Sequence, residues 1–299
     1  MRFMAYAEPL ESRLTGASGR RTGRMRWGPR ALRLLLGLVW VAPAVAQEMA
    51  RPDDAEPTRR WSAAVGVVAS VGPEYAGAAR VGSTVQPGFG LRWGRVSLAS
   101  RSAFAVRGGE PGTRGGLRVE LLRSEHWRSS LGLRWDSGRE ESDSPDLKGL
   151  GDVRRTLRAR LSLGYRVDER WRVSAALGTD TLGRGGGWLG ELGLSRDWRL
   201  SPATGLGVGA VLGFASQRWQ QNYFGITPEQ ARRSGYAVYA PGAGLRDVVL
   251  SLGGRSGLTP RWAVFYGASV SRLLGPALAS PLVRQPQSWG LSAGIVARI

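Results

Sequence analysis

The sequence predicts an all-β fold, an antiparallel transmembrane β-barrel of about twelve strands, with a short helix expected in the 222–245 loop. Three observations predict it. Apolar and polar residues alternate with a period of two along long segments. The connections between those segments alternate between tight turns and long loops. Tryptophans gather at the segment ends.

The alternation is clearest in Leu157, Ala159, Leu161, Leu163, Tyr165 and Val167, with Arg158, Arg160, Ser162, Gly164 and Arg166 between them. A strand puts these sets on opposite faces, one apolar and one cationic, whereas a helix would scatter the arginines around its circumference. The same pattern places strands near 61–71, 82–93, 95–106, 114–123, 127–137, 153–167, 170–182, 186–199, 204–218, 246–259, 261–275 and 286–299. A tilted membrane-spanning strand needs about 9–11 residues, and soluble strands are usually about 5–6.

Connections at Trp93–Arg95, Arg123–His126, Val167–Arg170, Leu200–Thr204 and Thr259–Arg261 are tight. Those at 71–82, 107–113, 137–152, 218–245 and 275–286 are long. Short periplasmic turns and long external loops mark outer-membrane barrels, and an even strand count returns both termini to the periplasm. Trp61, Trp93, Trp127, Trp171, Trp188, Trp262 and Trp289 sit at strand ends, as an aromatic girdle at headgroup level requires. The inward face would carry many arginines, with Glu120, Asp136, Glu191 and Asp197 as partners. Such a network either braces the barrel or lines a narrow anion-preferring channel.

Composition agrees. The 44 glycines among 299 residues argue against an all-helical chain. Hydrophobic residues make up 42%, too few for a polytopic helical membrane protein. The net charge of +19 comes almost wholly from arginines spread singly along the strands, with Lys148 the only lysine. A nucleic-acid footprint would cluster them on one face, so no nucleic-acid partner is expected.

Ahead of the strands, Arg24, Arg26, Arg30 and Arg33 precede an apolar stretch from Leu32 to Val45, and Ala44-Val45-Ala46 ends it with small residues. This is the three-part pattern of a secretory signal peptide over 1–46, with Met25 the expected true start. Residues 47–60 read as a disordered linker and 61–299 as the barrel domain.

Catalytic chemistry finds little support. With no cysteine, thiol catalysis, thiolate metal sites and disulfides are excluded. His126, the only histidine, falls in a tight turn beside Glu125 and near Ser124, where no triad can converge. The acidic loop with Glu140, Glu141, Asp143, Asp146 and Asp152 has no calcium-loop spacing and reads as solvated. Gly183–Gly187 lacks the lysine and the strand–helix context of a phosphate loop and reads as a flexible turn. No enzyme activity, cofactor or metal site is expected.

One stretch carries a resemblance: Asn222-Tyr223-Phe224-Gly225-Ile226-Thr227-Pro228-Glu229-Gln230-Ala231, then Ser234-Gly235, Tyr239 and Pro241 to Val248. With Gly72-Pro73-Glu74-Tyr75-Ala76-Gly77, Ser271 to Gly275 and Ser280 to Val283, it is similar to the MipA/OmpV family of outer-membrane proteins, the MltA-interacting protein family, over about 61–299. Departures are Ala78, where the family has serine, and the terminal Ile299, where many barrels end in phenylalanine.

The resemblance implies a bacterial outer-membrane location among lipid and lipopolysaccharide. It further implies a non-catalytic scaffold linking a lytic transglycosylase and a penicillin-binding protein in peptidoglycan turnover. The alternatives are a small-solute channel and a surface stress-response or adhesion protein.

The signature falls in a long external loop, away from the periplasm where murein enzymes act. Tyr223, Phe224, Ile226 and Tyr239 would be costly if left exposed, so the loop is expected to fold inward. Thr227-Pro228-Glu229-Gln230 reads as an N-cap and first helical turn. The candidate loop and lumen interaction residues are Tyr75, Tyr223, Phe224, Arg246 and Asp247.

Overall fold

The computed structural model describes residues 61–100 and 116–299. The signal peptide, the 47–60 linker, the later part of the third strand and the 107–113 loop lie outside the described residues.

Twelve strands close into one antiparallel barrel. They are β1 (Trp61–Pro73), β2 (Val81–Trp93), β3 (Val96–Ala99), β4 (Gly116–Arg123), β5 (Trp127–Asp136) and β6 (Thr156–Arg166). The other half is β7 (Trp171–Asp180), β8 (Trp188–Arg199), β9 (Thr204–Ala215), β10 (Gly244–Gly257), β11 (Trp262–Leu273) and β12 (Gln287–Arg298). Each strand pairs with its sequence neighbours, and β1 pairs with β12 from Ala64↔Arg298 to Val71↔Leu291, so no edge is left open.

The period of two becomes an inside and an outside. Leu161, Leu163, Leu192, Leu194, Leu250, Leu252, Leu291 and Ile295 stand exposed around the wall. An unbroken apolar band of this extent is unsuited to water and suited to hydrocarbon. Tryptophans edge it at both ends. Trp61 pairs with Trp93 at the short-turn end, where Trp127, Trp171 and Trp262 also open their strands. Trp135, Trp188 and Trp289 lie toward the long-loop end.

The inward carboxylates take the partners expected of them. Glu120 meets Arg92 at 3.7 Å and Arg123 at 3.4 Å, and Asp197 meets Arg172 at 3.6 Å. Asp136 and Glu191 lie deeper in the protein, against Arg158 at 2.6 Å and Arg160 at 2.7 Å.

Several strand ends differ from the sequence reading. β9 stops at Ala215 rather than 218, because the Ser216 side chain caps a helix that begins at Gln217. β6 begins at Thr156 rather than 153, because Val153 is drawn into an isolated bridge with Arg139. β10 begins two residues early, at Gly244, and carries a bulge between Leu245 and Asp247.

Among the described residues three α-helices lie in the long loops: α1 (Gln217–Phe224), α2 (Pro228–Ser234) and α3 (Gly275–Leu278). The expected helix is α2. Thr227 accepts from the Gln230 N–H, Gln230 reaches back to the Thr227 N–H, Pro228 opens the first turn, and Gly235 ends the helix at φ 79°. α1 was not expected from the sequence.

Candidate functional site

The long loops turn inward over the barrel and pack on one another. One apolar cluster joins Tyr75, Ala78, Leu147, Leu150, Ile226 and Leu282 from four segments distant in sequence. A second joins Ala215, Trp219, Phe224, Leu273 and Ala277. The 137–152 loop is therefore more than a solvated acidic loop: Leu147 and Leu150 anchor it in the first cluster. Glu141 holds its shape by accepting the N–H groups of Gly149 and Gly151, each at 2.8 Å. Those two donors hold the Glu141 carboxyl below its ordinary pKa.

α1 is the centre of this arrangement. The Tyr223 hydroxyl donates to Asp136 Oδ1 at 3.3 Å, at the end of β5. On the other side, the Arg246 guanidinium of β10 lies 5.3 Å from the centre of the Trp219 ring. β5 and β10 are five places apart in a ring of twelve strands, almost opposite each other. A helix that touches both must cross the mouth of the barrel. Further ties come from the sides: Ser280 Oγ donates to the Phe224 carbonyl at 2.6 Å, and the Asn222 amide donates to the Gly185 carbonyl. Arg139 Nη1 donates to the Tyr223 carbonyl at 2.7 Å.

Beneath α1 runs a belt of charge. Glu191, Gly213 and Asp247 lie side by side on β8, β9 and β10. Arg246 reaches over the glycine, with Nη2 at 3.9 Å from Glu191 and Nε at 2.8 Å from Asp247. A Cβ on Gly213 would meet both Asp247 Oδ1 and the Arg246 guanidinium. Arg160 completes the belt from the far side of Glu191.

The structure thus brings four of the five candidate residues together: Tyr223 and Phe224 on α1, and Arg246 and Asp247 below it. Tyr75 belongs to the neighbouring cluster and donates its hydroxyl to the Leu282 carbonyl at 3.1 Å. Burial pushes the hydroxyls of both Tyr75 and Tyr223 up to about 12.

Sequence reasoning missed Trp219, Gln220 and Arg139. For the first two a signal existed, since Gln217–Phe224 lacks the alternation of a strand and follows a serine able to cap. For Arg139 none did, because nothing local marks a loop arginine as buried.

His126 stacks on Tyr165 with ring centres 5.9 Å apart. Gly183, Gly185 and Gly187 take positive φ in the turn between β7 and β8.

Solved structures similar to the chain are outer-membrane barrels. The NanC porin shares 7% identity at a TM-score of 0.39, with 78% of this chain and 98% of that chain covered. OmpF of Salmonella typhi, in complex with daunomycin, shares 9% at 0.39, covering 80% and 97%. A FadL homologue of Pseudomonas aeruginosa shares 9% at 0.40, covering 80% and 90%. No curated protein matches the sequence. The family described as MltA-interacting protein MipA matches residues 65–298, and the chain belongs to that family.

Proposed function

We propose that the protein is an outer-membrane barrel, closed at its external mouth, that acts as a non-catalytic scaffold linking a murein hydrolase to a murein synthase. The observation that carries this reading is α1, held between Asp136 of β5 and Arg246 of β10 across the mouth. A bore crossed by a helix with that many attachments is ill-suited to solute passage, and the charged belt below it braces rather than conducts. The family's description as MltA-interacting supports a murein enzyme as partner. The scaffold would present its short-turn end to the periplasm, with the signature segment serving to close the opposite end.

The test is capture from detergent-solubilised envelopes with tagged full-length protein. A lytic transglycosylase and a penicillin-binding protein should co-purify. Recovery of neither would refute the scaffold. Planar-bilayer recording addresses the channel alternative: the scaffold reading expects a silent barrel, and steady conductance by the wild-type protein would favour a pore.

A further inference from the structure

Arg139 lies just beyond β5 and is only 7% exposed. One of its nitrogens is satisfied by the Tyr223 carbonyl, but Nε is buried without a partner. Among the described residues it forms no ion pair, and Asp143 acts on it only through space. A guanidinium withdrawn from water without a counter-charge is costly. The carboxyl end of α1 offsets part of that cost, because a helix terminus carries about half a charge. Asp143 attracts it through space, but no ion pair among the described residues supplies the rest.

The same side chain lines a cavity of about 230 Å³ together with Arg154, Arg184, Gln221 and Asp152. Arg154 and Arg184 come from separate loops and stand exposed at the rim. Asp152 Oδ1 is occupied by the Glu141 N–H at 2.8 Å. Three cations therefore face one carboxylate that is already engaged. Water occupies about 30 Å³ per molecule, so the cavity holds about eight water volumes. That suits a phosphate group or a short dicarboxylate.

We propose that this cavity is a binding site for a small oxyanion, a phosphoryl or carboxylate group, gripped by Arg139 at its floor and by Arg154 and Arg184 at its rim. Guanidinium forks match both oxyanions in shape and charge. The Gln221 carboxamide adds a neutral donor. The oxyanion comes either from a free solute or from a lipopolysaccharide phosphate reaching over the barrel rim. The site is independent of the scaffold role, so failure to capture murein enzymes leaves it standing.

The test is calorimetric titration of the purified full-length barrel in nonionic detergent with inorganic phosphate and, separately, succinate. The variants are Arg139→Gln and the double variant Arg154→Ala/Arg184→Ala, with folding verified by heat-modifiable gel mobility. At least one anion should bind wild type saturably at one site, and Arg139→Gln should weaken it about tenfold or more. The double variant alters only exposed side chains and should also bind more weakly. It decides the matter alone if Arg139→Gln does not fold. Absence of saturable binding of both anions to folded wild type, or unchanged affinity in the double variant, overturns the proposal. Lipopolysaccharide added to the phosphate-loaded protein separates the sources. Displacement supports a headgroup phosphate as the occupant, and undiminished phosphate binding supports a free solute.

Discussion

Arg246 and Asp247 are consecutive in the chain, yet their side chains meet in a bidentate pair of 2.8 and 3.1 Å. Regular strand geometry would send them to opposite faces of the wall. The bulge between Leu245 and Asp247 inserts Arg246 as an extra residue. Leu245 pairs with Phe214 on one side of the bulge, Asp247 pairs with Gly213 on the other, and Leu250 and Leu252 remain outside. The sheet thereby places two opposite charges side by side beneath α1.

Gly213 is the opening through which that pair reaches Glu191. Gly213→Ala should push Arg246 off Asp247 and destabilise the barrel by about 1–3 kcal/mol, the typical cost of losing a charge-assisted hydrogen bond inside a protein. Asp247→Asn should cost a similar amount, since Glu191 at 3.9 Å would then be the only carboxylate left against Arg246. Urea unfolding in detergent micelles measures both. A double variant no worse than either single one would show that they disrupt the same contact.

The Asp136–Arg158 pair is the second anchor of the mouth, with Arg158 almost wholly buried. Removal of one partner leaves a buried charge unopposed and should cost about 3–5 kcal/mol. Asp136→Asn and Arg158→Met should each be strongly destabilising. Combined, they should cost much less than their sum, and a double-mutant cycle from unfolding midpoints reads the coupling directly.

Trp219 stacks on Tyr223 with ring centres 4.4 Å apart and covers Arg246. Trp219→Ala should free α1 from the β10 side, at a cost of about 3–5 kcal/mol for a buried large-to-small change. If α1 is what closes the bore, the variant should conduct in a planar bilayer where wild type does not. A folded variant that stays silent would show that the other loops suffice to close it.

The loop at Glu141 should respond to acid. Its folded pKa lies below the ordinary 4.5, so the carboxylate stabilises the loop above pH 4.5 and that contribution disappears as pH falls through the lower folded value. Amide protection factors at Gly149 and Gly151, taken against the intrinsic rate at each pH, should therefore be high at neutral pH and fall below 4.5. In Glu141→Gln they should be low at both.

At alkaline pH the sign reverses for Tyr75 and Tyr223, whose folded values near 12 exceed the ordinary 10.0. Their neutral forms stabilise the cap fully below pH 10, and the contribution is lost as pH rises toward 12. Absorbance titration should show Tyr75 and Tyr223 among the late-ionising tyrosines, and Tyr223→Phe should remove one of them.

What the sequence determined by itself was the wall. Alternation at Leu157 to Val167, the short and long connections and the tryptophan positions each depend on residues near one another in the chain, and apart from the β1–β12 seam the barrel pairs only sequence-adjacent strands. The α2 helix was legible for the same reason, because its cap and stop lie within nine residues. The carboxylates facing inward were legible too, since parity alone sends Glu120, Asp136, Glu191 and Asp197 to one side. Tertiary structure alone decided the mouth. Burial of Arg139, the seat of α1 between β5 and β10, and the pairing of Arg246 with its own neighbour depend on contacts between distant segments and on one bulge that breaks parity. An arginine in a loop looks the same in sequence whether water or a helix end surrounds it, and only closure of the barrel determines which.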